Sequence, residues 1–350
     1  MKISKKIISK IGDHEIKKIK FVNKNNYSIE FYNFGGYFHS INIPYKNNHS
    51  LSEDVLLGYK SIECYKKDNI YLNGIIGRVC GRIANSQFVL NNKTYHLFSN
   101  DKTNHIHGGK NGFNKKIWKI DKLFKNNESL VCVMKYCSLT MEEGYPGNIN
   151  CETTYSLSNN NELIIDFIAE SDEDTIVNLT NHNYWNFHGH HSKYQKVSDH
   201  LVKINARLYC ESDKYLIPTG KLLNVKKTKF DFQKFKMLDK YILNKNGIDE
   251  CYCINGFDGT VKEIACVYSN LTKMGLYLYS NQPGLQFYTG NMMGDYYLGK
   301  YSKSYGNQYG LCFEPQLFPD AINNKKFISP ILKKGKKYNS KIIIKLKNDF

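Results

Sequence analysis

Apolar and polar residues alternate with a period of two along most of this chain, the pattern of β-strands that bury one face. Three pairs of such segments are separated by short turns: residues 29–34 and 37–43, residues 88–90 and 93–97, and residues 151–157 and 162–169. The first turn is Gly35-Gly36 and the second is Asn91-Asn92, and both residue types tolerate the positive φ angles of tight turns. The pattern therefore predicts three antiparallel hairpins.

The chain ends on another strand pattern. Ile342, Ile344 and Leu346 alternate with a face that carries Lys345, which predicts a half-buried strand with a charged outer face. Helical periodicity is weak, because residues 235–243 could form two turns but no longer segment carries an apolar stripe of period 3.6. Many short strands with few helices predict an all-β fold, a large antiparallel sandwich or barrel.

Composition indicates a folded protein and argues against a nucleic-acid partner. At 350 residues, with 41% hydrophobic and 14% aromatic residues, the chain can build a sizeable core. Its formal net charge of +17 would suit an anionic partner, but the lysines are scattered among asparagines. The nearest approach to a basic run is residues 333–337, which precede the last strand as a turn would. We therefore expect a solvated basic surface and no nucleic-acid binding.

The ten cysteines are irregularly spaced and include no Cys-x-x-Cys pair for zinc. We expect reduced, mostly buried thiols in a reducing compartment. The first residues show no apolar signal segment, and no apolar run reaches the roughly 18 residues of a membrane span. These observations predict a cytoplasmic protein without a membrane partner. No change in composition marks a linker, so residues 1–350 are predicted to form a single domain.

The highest density of hydrogen-bonding groups lies in residues 178–189. Polar side chains stand there beside flat aromatic ones: Asn181, His182, Asn183 and Asn186 with Tyr184, Trp185 and Phe187. A sugar ring needs this combination of hydrogen-bonding groups and apolar faces. His182 is the natural proton carrier, since an imidazole titrates near neutrality. Trp185 faces the side of an extended segment opposite to Tyr184, so it is predicted to belong to the core.

Glu314 is the second candidate for chemistry. It lies in residues 312–320 among apolar side chains, and Pro315 favours an extended backbone at the glutamate. A carboxylate in apolar surroundings is costly unless it is paired or functional. We therefore expect a functional role for Glu314.

Two further stretches contain paired cationic or titratable side chains. Arg78 and Arg82 stand four residues apart among glycines, a spacing consistent with a ligand site or with a tight turn that carries surface arginines. His105 and His107 would share one side of an extended segment, but a His-x-His pair without a third ligand does not predict a metal site. Three more histidines are expected in a solvated loop: His188, His190 and His191.

Taken in order, these and neighbouring stretches resemble the aldose 1-epimerases, also called galactose mutarotases. The segments that carry the resemblance are Gly77-Arg78 with residues 82–84, residues 104–109, 143–147, 178–182, 218–220 and 282–291, and Glu314-Pro315-Gln316 with residues 318–320. The resemblance implies a large antiparallel β-sandwich with few short helices, whose concave face holds a monosaccharide. It also implies that residues 1–350 form one such domain, with about residues 1–60 as a divergent N-terminal part.

The resemblance also assigns roles to individual residues. His182 matches the general acid of the family and Glu314 matches the general base. The residues that match sugar-binding positions are Arg82, His107, Asp249 and Gln286. Asn181 precedes His182 and is expected to position the histidine and to contact the substrate.

Three positions depart from the family pattern. Gly81 stands where the family usually has asparagine, and Pro315 and Leu317 stand where it usually has threonine and histidine. The first change removes one side-chain contact to the sugar, and the other two alter the surroundings of the glutamate. We expect these changes to affect rate or sugar preference before they abolish activity.

The implied reaction interconverts the α and β anomers of free aldohexoses such as glucose and galactose. Glu314 removes the proton of the C1 hydroxyl while His182 protonates the ring oxygen, the ring opens, C1 turns about its bond to C2, and closure from the other face inverts the anomer. The expected resting state has an ionised Glu314 and a charged His182 on opposite sides of the sugar ring. The reaction requires no metal and no cofactor, so none is predicted.

Two alternative functions stay open on sequence alone. A hexose-6-phosphate 1-epimerase would use Arg78 and Arg82 to hold a phosphate, and a non-catalytic sugar-binding protein of the same fold would be consistent with Gly81 and Leu317. A glycoside hydrolase is not favoured, because hydrolysis requires two carboxylates and only Glu314 is assigned. The expected partner is a monosaccharide, and the chain is predicted to be a monomer or a weak homodimer.

Overall fold

The structure of this chain is a computed structural model that describes residues 1–190, 196–239, 246–294 and 297–350. In chain order, the strands of this described part are β1 (Lys2–Ile11), β2 (His14–Val22), β3 (Ser28–Tyr32), β4 (Phe38–Tyr45), β5 (Asn48–Asp54), β6 (Ile75–Ile76), β7 (Arg82–Ile83), β8 (Gln87–Leu90), β9 (Lys93–His96), β10 (His105–Ile106), β11 (Lys119–Lys125), β12 (Ser129–Ser138), β13 (Ile149–Ser158), β14 (Glu162–Ser171), β15 (Thr175–Ile176), β16 (Thr180–Asn181), β17 (His200–Ile204), β18 (Ala206–Ser212), β19 (Pro218–Asn224), β20 (Lys236–Met237), β21 (Asp249–Ile254), β22 (Lys262–Ser269), β23 (Gly275–Ser280), β24 (Gly284–Tyr288), β25 (Tyr297–Leu298), β26 (Ser304–Tyr305), β27 (Cys312–Gln316), β28 (Ile331–Leu332) and β29 (Lys337–Lys347). Helical structure in the same residues consists of α1 (Ile62–Lys66) and the 3₁₀ turns Ala84–Ser86, Phe113–Lys115, Glu142–Gly144 and Lys300–Ser302.

Three larger sheets make up the fold. The nine-stranded sheet has the order β11-β12-β13-β14-β29-β23-β22-β17-β20, the N-terminal sheet runs β1-β2-β3-β4-β5, and a second five-stranded sheet, which we call the cleft sheet, has the order β19-β18-β21-β24-β27. Neighbouring strands in all three are antiparallel. The prediction of an all-β, antiparallel sandwich with few short helices is confirmed.

The N-terminal sheet packs on the same core as the other two sheets. The main core cluster combines buried side chains of all three sheets, among them Phe21 and Phe31, Leu130 and Phe167, and Phe287 and Phe313. The ring of Tyr155 in β13 lies 5.1 Å from Phe31 and 4.5 Å from Phe38, and its hydroxyl donates a hydrogen bond to the Gly36 carbonyl. Aromatic burial of this kind stabilises the contact between the sheets.

The three predicted hairpins are confirmed as β3-β4, β8-β9 and β13-β14. In the second, Leu90 pairs with Lys93, so Asn91 and Asn92 form a two-residue turn with φ angles of 50° and 60°. The last strand, β29, lies between β14 and β23, with the side chains of Ile342, Ile344 and Leu346 in the core.

The possible helix at residues 235–243 is not present where the structure describes that segment. Lys236 and Met237 pair with Val202 and Leu201 at the edge of the nine-stranded sheet, so their backbone groups are satisfied by the sheet. The remaining residues, 240–243, lie outside the described part of the chain.

The surface and cysteine predictions are consistent with the fold. Residues 333–337 turn into β29 at Gly335, which has a φ of 68°. All ten cysteines are free thiols, and most are buried. Among the described residues, no helix is long and apolar enough to cross a membrane.

Side chains along the strands of the cleft sheet point alternately to the core and to a cleft. Leu285 and Phe287 of β24 are core residues, whereas Gln286 between them lines a cleft. In β27, Phe313 packs in the core and Glu314 lines the same cleft. The period of two in a strand thus places polar groups over a rigid apolar layer.

Candidate active site

A cleft of about 170 Å³, open to solvent, lies over the cleft sheet. Its centre is a row of three side chains, because Gln286 pairs with Glu314 on one side and with Cys251 on the other. Asp249 pairs with Tyr288 in the adjacent row. Other elements contribute Tyr71, Arg82, His107, His182 and Tyr184 to the lining.

Glu314 is held by β27, and only 2% of the residue is exposed. The extended backbone predicted from Pro315 is confirmed, and β27 is an edge strand, where a proline is tolerated. Asn178 fixes the next turn of the chain: its Oδ1 accepts a hydrogen bond from the Leu317 N–H at 3.0 Å, and its Nδ2 donates to the Leu317 carbonyl at 3.3 Å. The strand that carries Glu314 is therefore anchored at its exit.

His182 reaches the cleft from a segment that is bound to residues 73–74. Its N–H donates to the Gly74 carbonyl at 3.1 Å, and its carbonyl accepts a hydrogen bond from the Asn73 N–H at 3.0 Å. The imidazole stacks on the ring of Tyr184 at 5.0 Å and 20°. These contacts fix the ring plane of the histidine.

His182 and Glu314 lie next to each other, with 3.5 Å between the imidazole Nε2 and the carboxyl Oε1. The expectation that they stand on opposite sides of the sugar ring is therefore wrong, since a ring cannot enter between atoms at this distance. Both groups can meet one edge of a sugar, where the C1 hydroxyl and the ring oxygen are bonded to the same carbon.

Burial opposes a charge on either member of this pair. It raises the pKa of Glu314 well above the ordinary value, and the nearby Asp249 carboxylate raises it further, while Arg82 lowers it. Burial also lowers the pKa of His182 to about 4. Both shifts oppose the expected resting state with two charged groups, and they favour a protonated Glu314 beside a neutral His182.

Arg82 and His107 border the cleft close to Glu314, because the polar side-chain atoms of His107, His182 and Glu314 lie within 4.8 Å of one another. The Arg82 guanidinium binds Asp101 through Nε, with 2.7 Å between Nε and Oδ2. His107 Nδ1 accepts a hydrogen bond from the Gly81 N–H at 3.3 Å. Burial, and then the neighbouring His182, lower the pKa of His107 well below its ordinary value. His107 is thus neutral and carries its proton on Nε2.

Asp249 and Gln286 form a direct hydrogen bond, with Gln286 Nε2 donating to Asp249 Oδ1 at 2.6 Å. Burial raises the pKa of Asp249, and Arg82 opposes the shift. With its amide nitrogen engaged, Gln286 still offers Oε1 as an acceptor. The structure thus brings the five predicted residues Arg82, His107, Asp249, Gln286 and Glu314 into one cleft with His182.

Two groups of described side chains are close enough to hold a cation: His107 with His182 and Glu314, and His188 with Asp199 and His200. In the first, His107 keeps a proton on Nε2 and accepts a hydrogen bond on Nδ1, so neither nitrogen offers a free lone pair. In the second, His200 Nε2 accepts a hydrogen bond from the Phe187 N–H, so Nδ1 carries the proton, 3.4 Å from Asp199 Oδ1. One histidine in each group therefore has no free ring nitrogen, and we assign no metal to either group.

The asparagines of residues 178–189 support the backbone. Asn181 donates to the carbonyls of Asn73 and Gly74 at 3.4 and 3.3 Å, and it is not among the described residues that line the cleft. The amide nitrogen of Asn181 therefore positions the segment of His182, and the substrate contact of Asn181 stays a prediction. Trp185 lies in the core, as predicted, while Tyr184 faces the cleft.

Neither prediction for Arg78 is correct. The side chain is 1% exposed, so it is neither a surface arginine nor free to bind a ligand. Its guanidinium donates to the backbone carbonyls and hydroxyls of Ser138, Leu139, Pro146, Gly147 and Thr175. Arg78 therefore ties several loops together.

His105 and His107 do not share one side of an extended segment. His105 Nδ1 donates to the Phe98 carbonyl at 2.8 Å, and its Nε2 lies 2.6 Å from the Tyr145 hydroxyl. His107 has a φ of 52°, which turns the backbone after β10. Only His107 lines the cleft.

The solvated loop expected at residues 188–191 is also wrong for the part that the structure describes. His188 and His190 are 3% and 5% exposed, and His190 Nε2 lies 3.0 Å from the Leu56 carbonyl. His191 lies outside the described residues.

The lining also includes residues that the sequence did not predict as site residues, among them Tyr71, Tyr288 and Gln316. Gln316 follows Glu314 by two positions in the same strand, so alternation alone could have placed it on the cleft face. Tyr288 follows Gln286 in the same way. Nothing in the sequence around Tyr71 distinguishes it from other surface or core tyrosines.

Comparison with known proteins agrees with the fold and the cleft. The family model described as aldose 1-epimerase matches residues 17–345. A galactose mutarotase from Homo sapiens is 36% identical over 298 residues, which cover 84% of this chain and 84% of that protein. An aldose 1-epimerase from Streptococcus thermophilus is 32% identical over 350 residues, which cover 98% of this chain and 97% of that protein.

Solved structures give the same result. An aldose epimerase homologue from C. elegans superimposes with a TM-score of 0.86 at 25% identity, covering 95% of this chain and 99% of that one. A galactose 1-epimerase from Lactobacillus acidophilus gives a TM-score of 0.85 at 25% identity, covering 100% and 99%. The sandwich and its histidine–glutamate cleft define an isomerase of the mutarotase fold. The chain belongs to the aldose 1-epimerase family.

Proposed function

We propose that this chain interconverts the α and β anomers of a free aldohexose, with His182 and Glu314 as the acid/base pair. The observation that carries the proposal is the 3.5 Å separation of the imidazole Nε2 and the carboxyl Oε1 at the base of a polar cleft. Two proton carriers at this distance can serve two oxygens on one carbon, as anomer exchange requires.

The reaction needs a single proton on the pair. One member takes the proton of the C1 hydroxyl while the other gives a proton to the ring oxygen, and the C1–O5 bond breaks to give the aldehyde. Rotation about C1–C2 and the reverse transfers close the ring as the other anomer. A protonated Glu314 with neutral His182, and the ion pair, contain the same number of protons, so substrate binding can shift the proton between them without exchange with solvent.

Four other side chains are proposed to hold the sugar during ring opening: Arg82, His107, Asp249 and Gln286. Arg82 and the Nε2–H of His107 offer donors, and the Gln286 Oε1 and the Asp249 carboxylate offer acceptors. A cleft that offers both donors and acceptors suits a neutral polyol. Retaining the open aldehyde in this frame would raise the rate of reclosure.

A phosphorylated hexose is a poorer fit than a free one. Arg78 is buried, with both terminal guanidinium nitrogens bound to loop carbonyls and hydroxyls, and Arg82 is already paired with Asp101. The Asp249 carboxylate would also repel a phosphate in the cleft. We expect faster anomer exchange with glucose than with glucose 6-phosphate, and the reverse order would contradict the choice of substrate class.

Polarimetry on freshly dissolved α-glucose and α-galactose tests the proposal directly. We expect the wild-type protein to accelerate the approach to equilibrium, and Glu314→Gln and His182→Asn each to slow it by at least about 100-fold, because each removes one proton carrier. Near-full activity in either variant would refute its role. No acceleration by the wild type, with sugar binding intact, would favour a non-catalytic binding protein.

Glu250→Gln provides the matched control. Glu250 is next to Asp249 in β21 but is not among the described residues that line the cleft. Glu250→Gln makes the same chemical change as Glu314→Gln, but in another strand of the cleft sheet. It should leave the rate within about twofold of wild type. A large loss here would mean that the Glu314 result reflects general disruption of the sheet.

A further inference from the structure

Gln316 extends the polar surface of the cleft one row beyond the central one. It lies two positions after Glu314 in β27, so the two side chains share a face of the strand. Its partner in the next strand is Gly284, which adds no side chain to this row. The carboxamide of Gln316 therefore has no neighbour in β24 to bind.

Both polar atoms of that carboxamide are unsatisfied. Gln316 is 1% exposed, and neither Oε1 nor Nε2 has a hydrogen-bond partner among the described residues. A buried amide without partners costs free energy, since it has lost its water without gaining a protein contact. Such a group at the wall of a cleft is suited to a ligand that supplies the missing partners.

Gly81 lies next to this amide and places no side chain against it. A Cβ placed on Gly81 would lie 3.5 Å from Gln316 Nε2 and 3.3 Å from the Cβ of Pro319. Any longer side chain at this position would press on the amide. The Gly81 backbone also donates its N–H to His107, so the corner that Gly81 forms with Gln316 and Pro319 adjoins the proposed sugar-binding groups.

We propose that Gln316 is a specificity-determining residue that binds one hydroxyl of the sugar in the corner between Gly81 and Pro319. The inference rests on the proposed function of the cleft and adds a contact to it. The carboxamide offers one acceptor and two donors, which match a hydroxyl acting as both donor and acceptor. A neutral hydroxyl suits the corner better than an anion, because the acidic side chain of Glu314 lies in the adjoining row and that of Asp249 lies one row further.

The test compares wild type and Gln316→Met on aldoses that each lack one hydroxyl. Methionine keeps the length and roughly the volume of the side chain but loses the amide. We expect the KM for the full aldose to rise by about 3- to 10-fold with little change in kcat, the loss of one neutral hydrogen bond. One deoxy sugar should bind wild type correspondingly less well, and Gln316→Met should not distinguish it from the full aldose.

Two further variants separate a ligand contact from a structural role. Gln282→Met removes another buried amide with an unpartnered Oε1, which is not among the described lining residues of this cleft, and it should leave discrimination among the sugars unchanged. Gln316→Asn withdraws the amide by one methylene, so discrimination should fall while burial of an amide is kept. It also serves as the test if Gln316→Met does not fold.

The inference and the proposed function can fail separately. If wild type exchanges anomers but Gln316→Met and Gln316→Asn keep its KM pattern for every sugar, the inference is overturned and the proposed function stands. If wild type is inactive, calorimetric titration with the same sugars replaces KM by Kd. Equal Kd values in wild type and both variants would then overturn the inference, and loss of discrimination in the variants would support it.

Discussion

His182 and Glu314 form a buried pair, and burial favours a single proton on that pair. A second proton would charge His182, whose pKa burial lowers to about 4. Loss of the remaining proton would charge Glu314, whose pKa burial raises. The apparent pKa values belong to the pair because the two groups interact. The pair thus carries the single proton required for anomer exchange between an acidic and an alkaline pH limit. Burial lowers the acidic limit and raises the alkaline one.

We expect a bell-shaped pH dependence of kcat/KM, which reports the free enzyme. Its acidic limb should lie below the ordinary histidine pKa of about 6.5, and its alkaline limb should lie above the ordinary glutamate pKa of about 4.3. Polarimetric rates across the pH range that the folded protein tolerates would measure both limbs. An acidic limb at or above about pH 6.5 would contradict the burial argument.

Asp249 and Arg82 should move the alkaline limb in opposite directions. Asp249→Asn removes a carboxylate that raises the pKa of Glu314, so the limb should shift to lower pH. Arg82→Gln removes a cation that lowers the same pKa, so the limb should shift to higher pH. Both variants also lose a proposed sugar contact, so the measurement is the position of the limb in kcat/KM and not its height. Shifts of equal sign would refute the assignment of that limb to Glu314.

Arg78 is expected to matter for stability. Arg78→Met leaves several buried carbonyls without a donor, so the free energy of unfolding in urea should fall by at least about 2 kcal/mol. The exposed Arg207 is the matched control, and Arg207→Met should change stability by less than about 0.5 kcal/mol. An unchanged urea midpoint for Arg78→Met would show that these hydrogen bonds contribute little.

Among the strands, β27 fixes the position of Glu314 both by its alternation and by its register. Its alternation directs Phe313 to the core and Glu314 to the cleft. Its register with β24 sets Glu314 beside Gln286. Asn178 then fixes the backbone just after the strand, through both polar atoms of its side chain. The position of the glutamate therefore depends on a residue that does not line the cleft.

Asn178→Ala should weaken this anchor. We expect the free energy of unfolding to fall by about 1–3 kcal/mol, because the Leu317 N–H and carbonyl both lose a partner. Asn178→Asp keeps an acceptor for the N–H and loses the donor, so its stability should lie between those of wild type and Asn178→Ala. Urea unfolding and kcat/KM of the three proteins measure the effect. If Asn178→Ala and wild type had the same free energy of unfolding and the same kcat/KM, the strand would need no anchor at this position.

At the scale of the whole molecule, the N-terminal sheet and the other two sheets share one core cluster. Phe31 is central to it, with ring contacts to Phe21, Phe38 and Tyr155. The prediction of a single domain over residues 1–350 stays a prediction, as do the cytoplasmic location and the monomer or weak dimer. Unfolding experiments can test the first of these.

Phe31→Ala should destabilise the cleft as well as the N-terminal sheet. Deletion of a buried aromatic ring costs about 3–5 kcal/mol. If the chain unfolds as a single cooperative unit, all signals should be lost at the same, lowered urea concentration. The signals to measure are activity, the fluorescence of Trp118 and Trp185, and the circular dichroism of the strands. Separate transitions, with activity retained after the N-terminal sheet unfolds, would contradict the single-domain prediction.

The strand pattern, the faces of the strands and two of the principal chemical groups were determined by the sequence alone. The hairpin turns at Gly35-Gly36 and Asn91-Asn92 and the buried face of β29 follow from local rules, because side chains alternate within a strand and glycine or asparagine tolerates positive φ. Glu314 and His182 stood out because a carboxylate among apolar residues and a histidine among amides are chemically unusual. The motifs then related them to a family.

Only the tertiary structure decided how these groups meet. The pairing of β21, β24 and β27 sets Gln286 between Cys251 and Glu314, and no local rule predicts pairing between strands so distant in the chain. The same non-local contacts bury Arg78 and leave the Gln316 amide unsatisfied. They also place His182 within 3.5 Å of Glu314. Burial and neighbouring charge set the protonation of that pair, and both are properties of the folded chain.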